Sequence, residues 1–343
     1  MKRISRWPRV GSLCALAWCL SSSLPATDSP AALAPWSAVG PHAIETLRTD
    51  WRDAARDRVV PVKLYFPKTG AGPFPVILFS HGLGGTRDGY EYLGRHWASH
   101  GYVVIHLQHP GSDDSAWRGG ARPMQALQSA AANPTNALHR PLDVRFALDQ
   151  LAALNQTNSR LRSRLDLDRV GLGGHSFGAY TVLACIGQRP GFGGPSLADS
   201  RIKAGIAMSS PVPARVRPAT YADVTVPVFH LTGTRDDSPI GRTGIEERRV
   251  PFDRISHAPQ LLLTLQEGDH MIFSGRGAAG RDVARDRRQH EVILASTTAF
   301  WDAWLKGAAS AKTWLQAGGF EAALAKDGKL EKKSPVAADA KPR

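Results

Sequence analysis

Between Arg169 and Gly187 the chain reads RVGLGGHSFGAYTVLACIG: an apolar run, a cluster of glycines around one serine, then a second apolar run. Few folds accommodate that order. A short, continuously apolar segment ending in glycines is a strand buried on both faces, and such strands belong to parallel sheets covered by helices. The stretch predicts a strand, a sharp turn at Ser176 and a helix.

The same grammar recurs along the chain. AIETLRTDWRD and DRVVPVKLYFP read as two strands joined by a charged turn, and FPVILFS as a buried strand that runs into the glycine-rich SHGLGG. YEYLGRHWASHG has helical spacing and stops at Gly101, and YVVIHLQ is the next strand. Residues 111–140, rich in Gly, Ser, Asp, Pro and Asn, read as an irregular loop or partial lid. PLDVRFALDQLAAL follows as an amphipathic helix with Pro141 in its first turn. IKAGIAMSS, VPVFHLTG and PQLLLTLQEG supply three more strands, and HEVILASTTAFWDAWLKG closes the fold as a helix. Strands alternating with helices imply right-handed crossovers and an α/β fold with a mostly parallel central sheet and helices on both faces. Residues 42–325 are expected to form one such domain, and the Lys-, Ala- and Pro-rich residues 326–343 a disordered tail.

The N-terminus follows other rules. MKRISRWPR carries Lys2, Arg3, Arg6 and Arg9 without an acid, and a short apolar run and a small-residue exit follow. This is the layout of a secretory signal over residues 1–26, with cleavage near Ala26 and a linker at 27–41. Its apolar run is shorter than the roughly 20 residues that a membrane span needs, so no transmembrane anchor is expected. The bulky Trp18 argues against lipidation at Cys19. Cys14 and Cys19 would leave with the signal, so Cys185 alone remains and reads as a small buried hydrophobe.

Net charge is +13; removing the signal's four basic residues and no acid brings it to +9. The remaining basic residues are interspersed with acids and not interleaved with aromatics. That pattern suits solubility or weak surface attraction, and no nucleic-acid partner is expected. HEVIL lacks the second histidine of a zinc-binding H-E-x-x-H, no phosphate loop is present, and GLGGHS has Ser176 where a dinucleotide fingerprint has its third glycine. No metal and no cofactor are expected.

The chemistry centres on Gly174-His175-Ser176-Phe177-Gly178, a G-x-S-x-G pattern. A serine hydroxyl becomes a useful nucleophile only where a base and a substrate carbonyl both reach it. A strained strand-to-helix turn provides that, and glycines two residues either side leave room for the strand and helix to pass closely. Ser176 then needs a base and an orienting acid, in the order Ser, acid, His. VFHLTGTRDDSP offers Asp236, with Asp237 as the alternative, and LLLTLQEGDHMIF offers His270 in the loop after the last strand. Asp269 reads as a turn residue. Charge developing on a carbonyl oxygen calls for two preset amides. Phe177, after the nucleophile, and Leu83 in SHGLGG are the expected donors of this oxyanion hole. Trp117 and Met124, within DDSAWRGGARPMQ, are candidates to line a substrate pocket.

Taken together, FSHGLGG, GHSFGAY, LTGTRDDSP and GDHMIF resemble the α/β-hydrolases, and the first two resemble platelet-activating-factor acetylhydrolases and their dienelactone-hydrolase-like bacterial relatives. The resemblance runs from about residue 43 to 307. It implies the roles given above for Ser176, His270, Leu83 and Phe177. Two departures stand out. In the mammalian acetylhydrolases the acid follows the strand equivalent to IKAGIAM, where this chain has SSP, so Asp236 fits the commoner hydrolase position. Dienelactone hydrolases use a cysteine nucleophile, so Ser176 argues against that activity. The expected function is an exported serine hydrolase of carboxylic esters, acting on a small-molecule or lipid ester. A lipase, phospholipid acyl hydrolase or polyester hydrolase is the alternative, and an amidase, a peptidase or a non-catalytic binding protein stands behind these. The sequence carries no signal for oligomeric state.

Overall fold

The computed structural model describes residues 33–191, 195–238, 240–275 and 282–336. The signal-peptide expectation for residues 1–26 lies outside the described residues. β1 (Ile44–Asp53) and β2 (Arg58–Pro67) form an antiparallel hairpin, and β2 pairs antiparallel with β4 (Val103–Leu107). β3 (Phe74–Ser80), β4, β5 (Leu165–His175), β6 (Ile202–Met208), β7 (Val228–Arg235) and β8 (Gln260–Asp269) run parallel. β9 (Gly328–Lys333) closes the edge antiparallel to β8. Among the described residues the strands make one sheet, ordered β1-β2-β4-β3-β5-β6-β7-β8-β9, with helices on both faces. This is the α/β-hydrolase fold.

Strand periodicity explains the two layers, because successive side chains leave a strand on opposite faces. Ile77 and Phe79 of β3 join one core with α2 (Glu91–Ser99) and α7 (Val283–Trp304). Val76 and Leu78 join the other, with α4 (Pro134–Thr157) and α5 (Phe177–Ile186). Both sets are buried, and burying each such side chain stabilises the fold by about 1.5–3 kcal/mol relative to exposure. On the first face Trp97 and Trp301 meet edge to face, 5.8 Å between ring centroids.

Three expectations need correction. Residues 111–140 are not wholly irregular: α3 (Pro123–Ala132) lies within them and α4 starts at Pro134 rather than at Pro141. Asn133 caps the Thr135 amide, Asn136 donates to the carbonyls of Gly111 and Ala130, and Arg140 is wholly buried. These tertiary anchors carry the helix through Pro141, which has no N–H to give. The tail is not disordered throughout, since its residues 328–333 are β9. Backbone pairing with β8 holds it while Lys329 and Lys332 are exposed, a common way to protect a sheet edge, and Lys333 Nζ donates to the carbonyls of Phe252, Asp253 and Ile255. Nor are residues 33–41, the described part of the expected linker, irregular throughout. α1 (Ala34–Ser37) sets Trp36 against Trp314 of α8 (Ala309–Gln316), which leads into α9 (Gly319–Leu324), and Leu33 is buried.

Candidate active site

β5 ends at His175 and α5 starts at Phe177, so Ser176 alone makes the turn. It does so at φ +55° and ψ −117°, a strained combination for a residue with a side chain. Its amide donates to Met208 O at 2.8 Å, tying the turn to the end of β6. The flanking glycines are sterically required. A Cβ on Gly174 would lie 2.4 Å from Gly178 O, and one on Gly178 would lie 1.9 Å from Ser80 O. Both obstacles are backbone, so no side-chain rotation relieves them.

Asp236 and His270 meet at the ends of neighbouring parallel strands. Asp236 follows β7, and His270 follows β8. His270 Nδ1 lies 2.8 Å from Asp236 Oδ1, and Thr232 Oγ1 donates to Asp236 Oδ2 at 2.8 Å. With Nδ1–H given to the carboxylate, Nε2 is the basic nitrogen of the ring. Asp237 is exposed and does not share this contact, while Asp269 accepts from the amides of Met271 and Ile272 in a turn.

Burial alone would raise the Asp236 pKa. The hydrogen bond from His270 and the charge of Arg248 outweigh it and hold the carboxyl at about 2. A carboxyl depressed in this way stabilises the fold above its ordinary value, 3.8, and the contribution disappears as pH falls through about 2. Urea unfolding of wild type and Asp236→Asn is therefore expected to differ by about 2 kcal/mol more at pH 6 than at pH 2. A difference independent of pH would contradict the charge assignment.

Two neighbours were not legible in the sequence. Arg248 is buried, donates to the carbonyls of Ser209, Ser210 and Asp236, and lies 3.5 Å from Asp236 Oδ1. In the charged run EERR nothing marks it out. His175, the variable residue of G-x-S-x-G, is buried with its ring 4.7 Å from that of His270. Its Nδ1 lies 2.7 Å from the Tyr90 hydroxyl, which also accepts from the Gly82 amide.

Past β3, the loop amides are divided. Gly82 donates to Tyr90 Oη, Gly84 to Ser112 O and Gly85 to Gly82 O. Among the described residues the Leu83 amide has no acceptor, and Phe177, the first residue of α5, has none within its helix. Leu83, Phe177, Ser176 and His270 line one cleft of about 1160 Å³. Trp117 and Met124 do not line it. Trp117 instead donates to Gly84 O at 3.0 Å from beneath the loop, and Met124 is 49% exposed. α3 contributes Gln128, Ala131 and Ala132 to the wall in their place. The Cys185 thiol is buried, and burial pushes its pKa up, away from the reactive thiolate.

No helix of the described residues is long and apolar enough to cross a membrane, and no group of three or more potential metal ligands occurs among them.

Residues 56–133 match the family described as platelet-activating factor acetylhydrolase, isoform II; the match includes the Leu83 loop and stops short of Ser176. The chain is 27% identical over 194 residues to platelet-activating factor acetylhydrolase of Canis lupus familiaris, covering 48% of this chain and 41% of that protein. The Bos taurus protein of that name is 27% identical over 197 residues, with the same coverage. Cutinase 2 of Thermobifida cellulosilytica is 29% identical over 127 residues, 37% of this chain and 39% of that protein. The chain thus spans about two fifths of the length of these relatives. It is similar to two groups of α/β-hydrolase serine esterases.

Proposed function

We propose that this chain is a serine hydrolase of carboxylic esters, exported by its N-terminal signal. The observation that carries the proposal is the Asp236–His270 pair, 2.8 Å apart, in the cleft that Ser176 also lines. Ser176 Oγ attacks the acyl carbon while His270 Nε2 takes its proton. Asp236 holds the ring and offsets the imidazolium charge. The amides of Leu83 and Phe177 receive the oxyanion. His270 then protonates the departing alcohol, and water, activated by the same nitrogen, releases the acid from the acyl-enzyme.

The relatives named as acetylhydrolase and as cutinase favour esters over amides. The cutinase names also support a second reading, a polyester or long-chain ester hydrolase. A panel of 4-nitrophenyl esters from acetate to palmitate, with one polyester film and one phospholipid, tests both. Turnover fastest on the short esters is expected. Turnover confined to film or phospholipid would favour the second reading, and turnover of none would overturn the proposal.

A further inference from the structure

Behind the Leu83 loop lies a buried polar network that the triad does not use. Arg140, on α4, is 0% exposed. Its guanidinium donates to His81 O at 2.6 Å and to Ser112 Oγ at 2.9 Å, with longer bonds to Ser80 Oγ and Ser112 O. Its central carbon also lies over the Phe177 ring, 4.3 Å from the centroid. One side chain therefore grips the loop carrying the Leu83 amide and covers the residue carrying the Phe177 amide.

The surroundings fix the guanidinium in place. Ser80 Oγ lies 2.9 Å from His109 Nε2, and His109 Nδ1 lies 3.0 Å from Asp143 Oδ2. This serine, histidine and aspartate mimic a catalytic triad, but all three are buried and no substrate reaches them. Burial, the largest effect, holds the His109 pKa down at about 4, so the ring is neutral and bridges Ser80 to Asp143 as a structural strut. Asp143 is already paired with Arg56 and Arg58. Burial, the largest effect, lowers the Arg140 pKa to about 9, while the charges of Asp143 and Asp113 favour its charged form without forming an ion pair with it among the described residues. A buried guanidinium with no carboxylate in contact is costly to fold around. Here it faces the two residues whose amides are proposed to meet the oxyanion.

The geometry points to Arg140 as a positioning residue that presets the oxyanion hole and lends it positive potential. This rests on the ester-hydrolase reading above. The charge and the fork act together: lysine supplies one without the other, and methionine supplies neither.

The test compares wild type, Arg140→Met and Arg140→Lys on 4-nitrophenyl acetate. Active sites are counted by labelling with a fluorophosphonate, and folding is checked by urea midpoint. Per labelled site, Arg140→Met is expected to lose roughly 10²–10³-fold in kcat, as when an oxyanion donor is removed, with KM little changed. Arg140→Lys should recover about tenfold of that through charge alone. A merely structural arginine would lower the midpoint or the number of labelled sites and leave kcat per site within about threefold of wild type; that result overturns the inference. Should Arg140→Met not fold, Ser112→Ala removes the Nε acceptor and should lower kcat per site about tenfold, or roughly 1.4 kcal/mol, and no change there overturns it equally. If wild type takes no label, the ester-hydrolase reading fails first, and the two failures are told apart.

Discussion

Replacing Ser176 by alanine is expected to lower kcat on a short-chain aryl ester by a factor on the order of 10⁶, with the thermal midpoint unchanged. Both halves of this expectation follow from the turn. The backbone at Ser176 sits at φ +55°, which alanine must adopt at the same cost as serine, so the substitution adds no strain. The Ser176 side chain makes no hydrogen bond among the described residues, so none is lost from the fold. The attacking oxygen is lost. What should remain is the small acceleration that the proposed oxyanion donors, the Leu83 and Phe177 amides, and the cleft would give to direct attack by water. Activity within tenfold of wild type would remove Ser176 from the mechanism.

Asp236→Asn is expected to lower kcat by about 10⁴ with little change in KM. The amide is nearly isosteric, but its nitrogen can face His270 Nδ1 and donate where the carboxylate accepts. The ring then carries its proton on Nε2, the nitrogen proposed to receive the Ser176 proton. Arg248, buried 3.5 Å from Asp236 Oδ1, loses its compensating charge in the same variant. A stability loss of about 1–3 kcal/mol should accompany the kinetic effect above pH 4. Asp237→Asn is the matched control. Its carboxylate is exposed and makes no contact with His270, so kcat should stay within twofold. Equal losses in the two variants would mean that the acid has been misassigned.

Much of the site was legible because its parts lie where strand meets turn. G-x-S-x-G announced itself through glycines whose reason is now explicit, a Gly178 Cβ only 1.9 Å from Ser80 O. Asp236 and His270 could be found because each follows an apolar run that had to be a buried strand. The count of residues past Gly233 favoured Asp236 over Asp237 in the sequence; in the structure the turn buries the Asp236 carboxylate beside His270 and leaves Asp237 exposed. Arg140 and Arg248 were hidden for the opposite cause. Each lies in a stretch that reads as solvated or irregular, and each is buried by partners far away in sequence. Local composition does not register such partners. The same holds for β9, whose GKLEKK is polar enough to suggest a free tail but pairs through its backbone along β8. In α3 and α4 the Gly, Ser and Asp residues of 111–122 outweighed the helix-forming PMQALQSAAA that follows them.

Whether Ser176 is a nucleophile activated by His270 and Asp236 is decided by intact-mass and peptide analysis after treatment with a fluorophosphonate. One adduct per chain is expected, located on Ser176, formed rapidly in wild type, far more slowly in Asp236→Asn and not at all in Ser176→Ala. An unmodified wild-type protein, or an adduct of equal yield in Ser176→Ala, would contradict it.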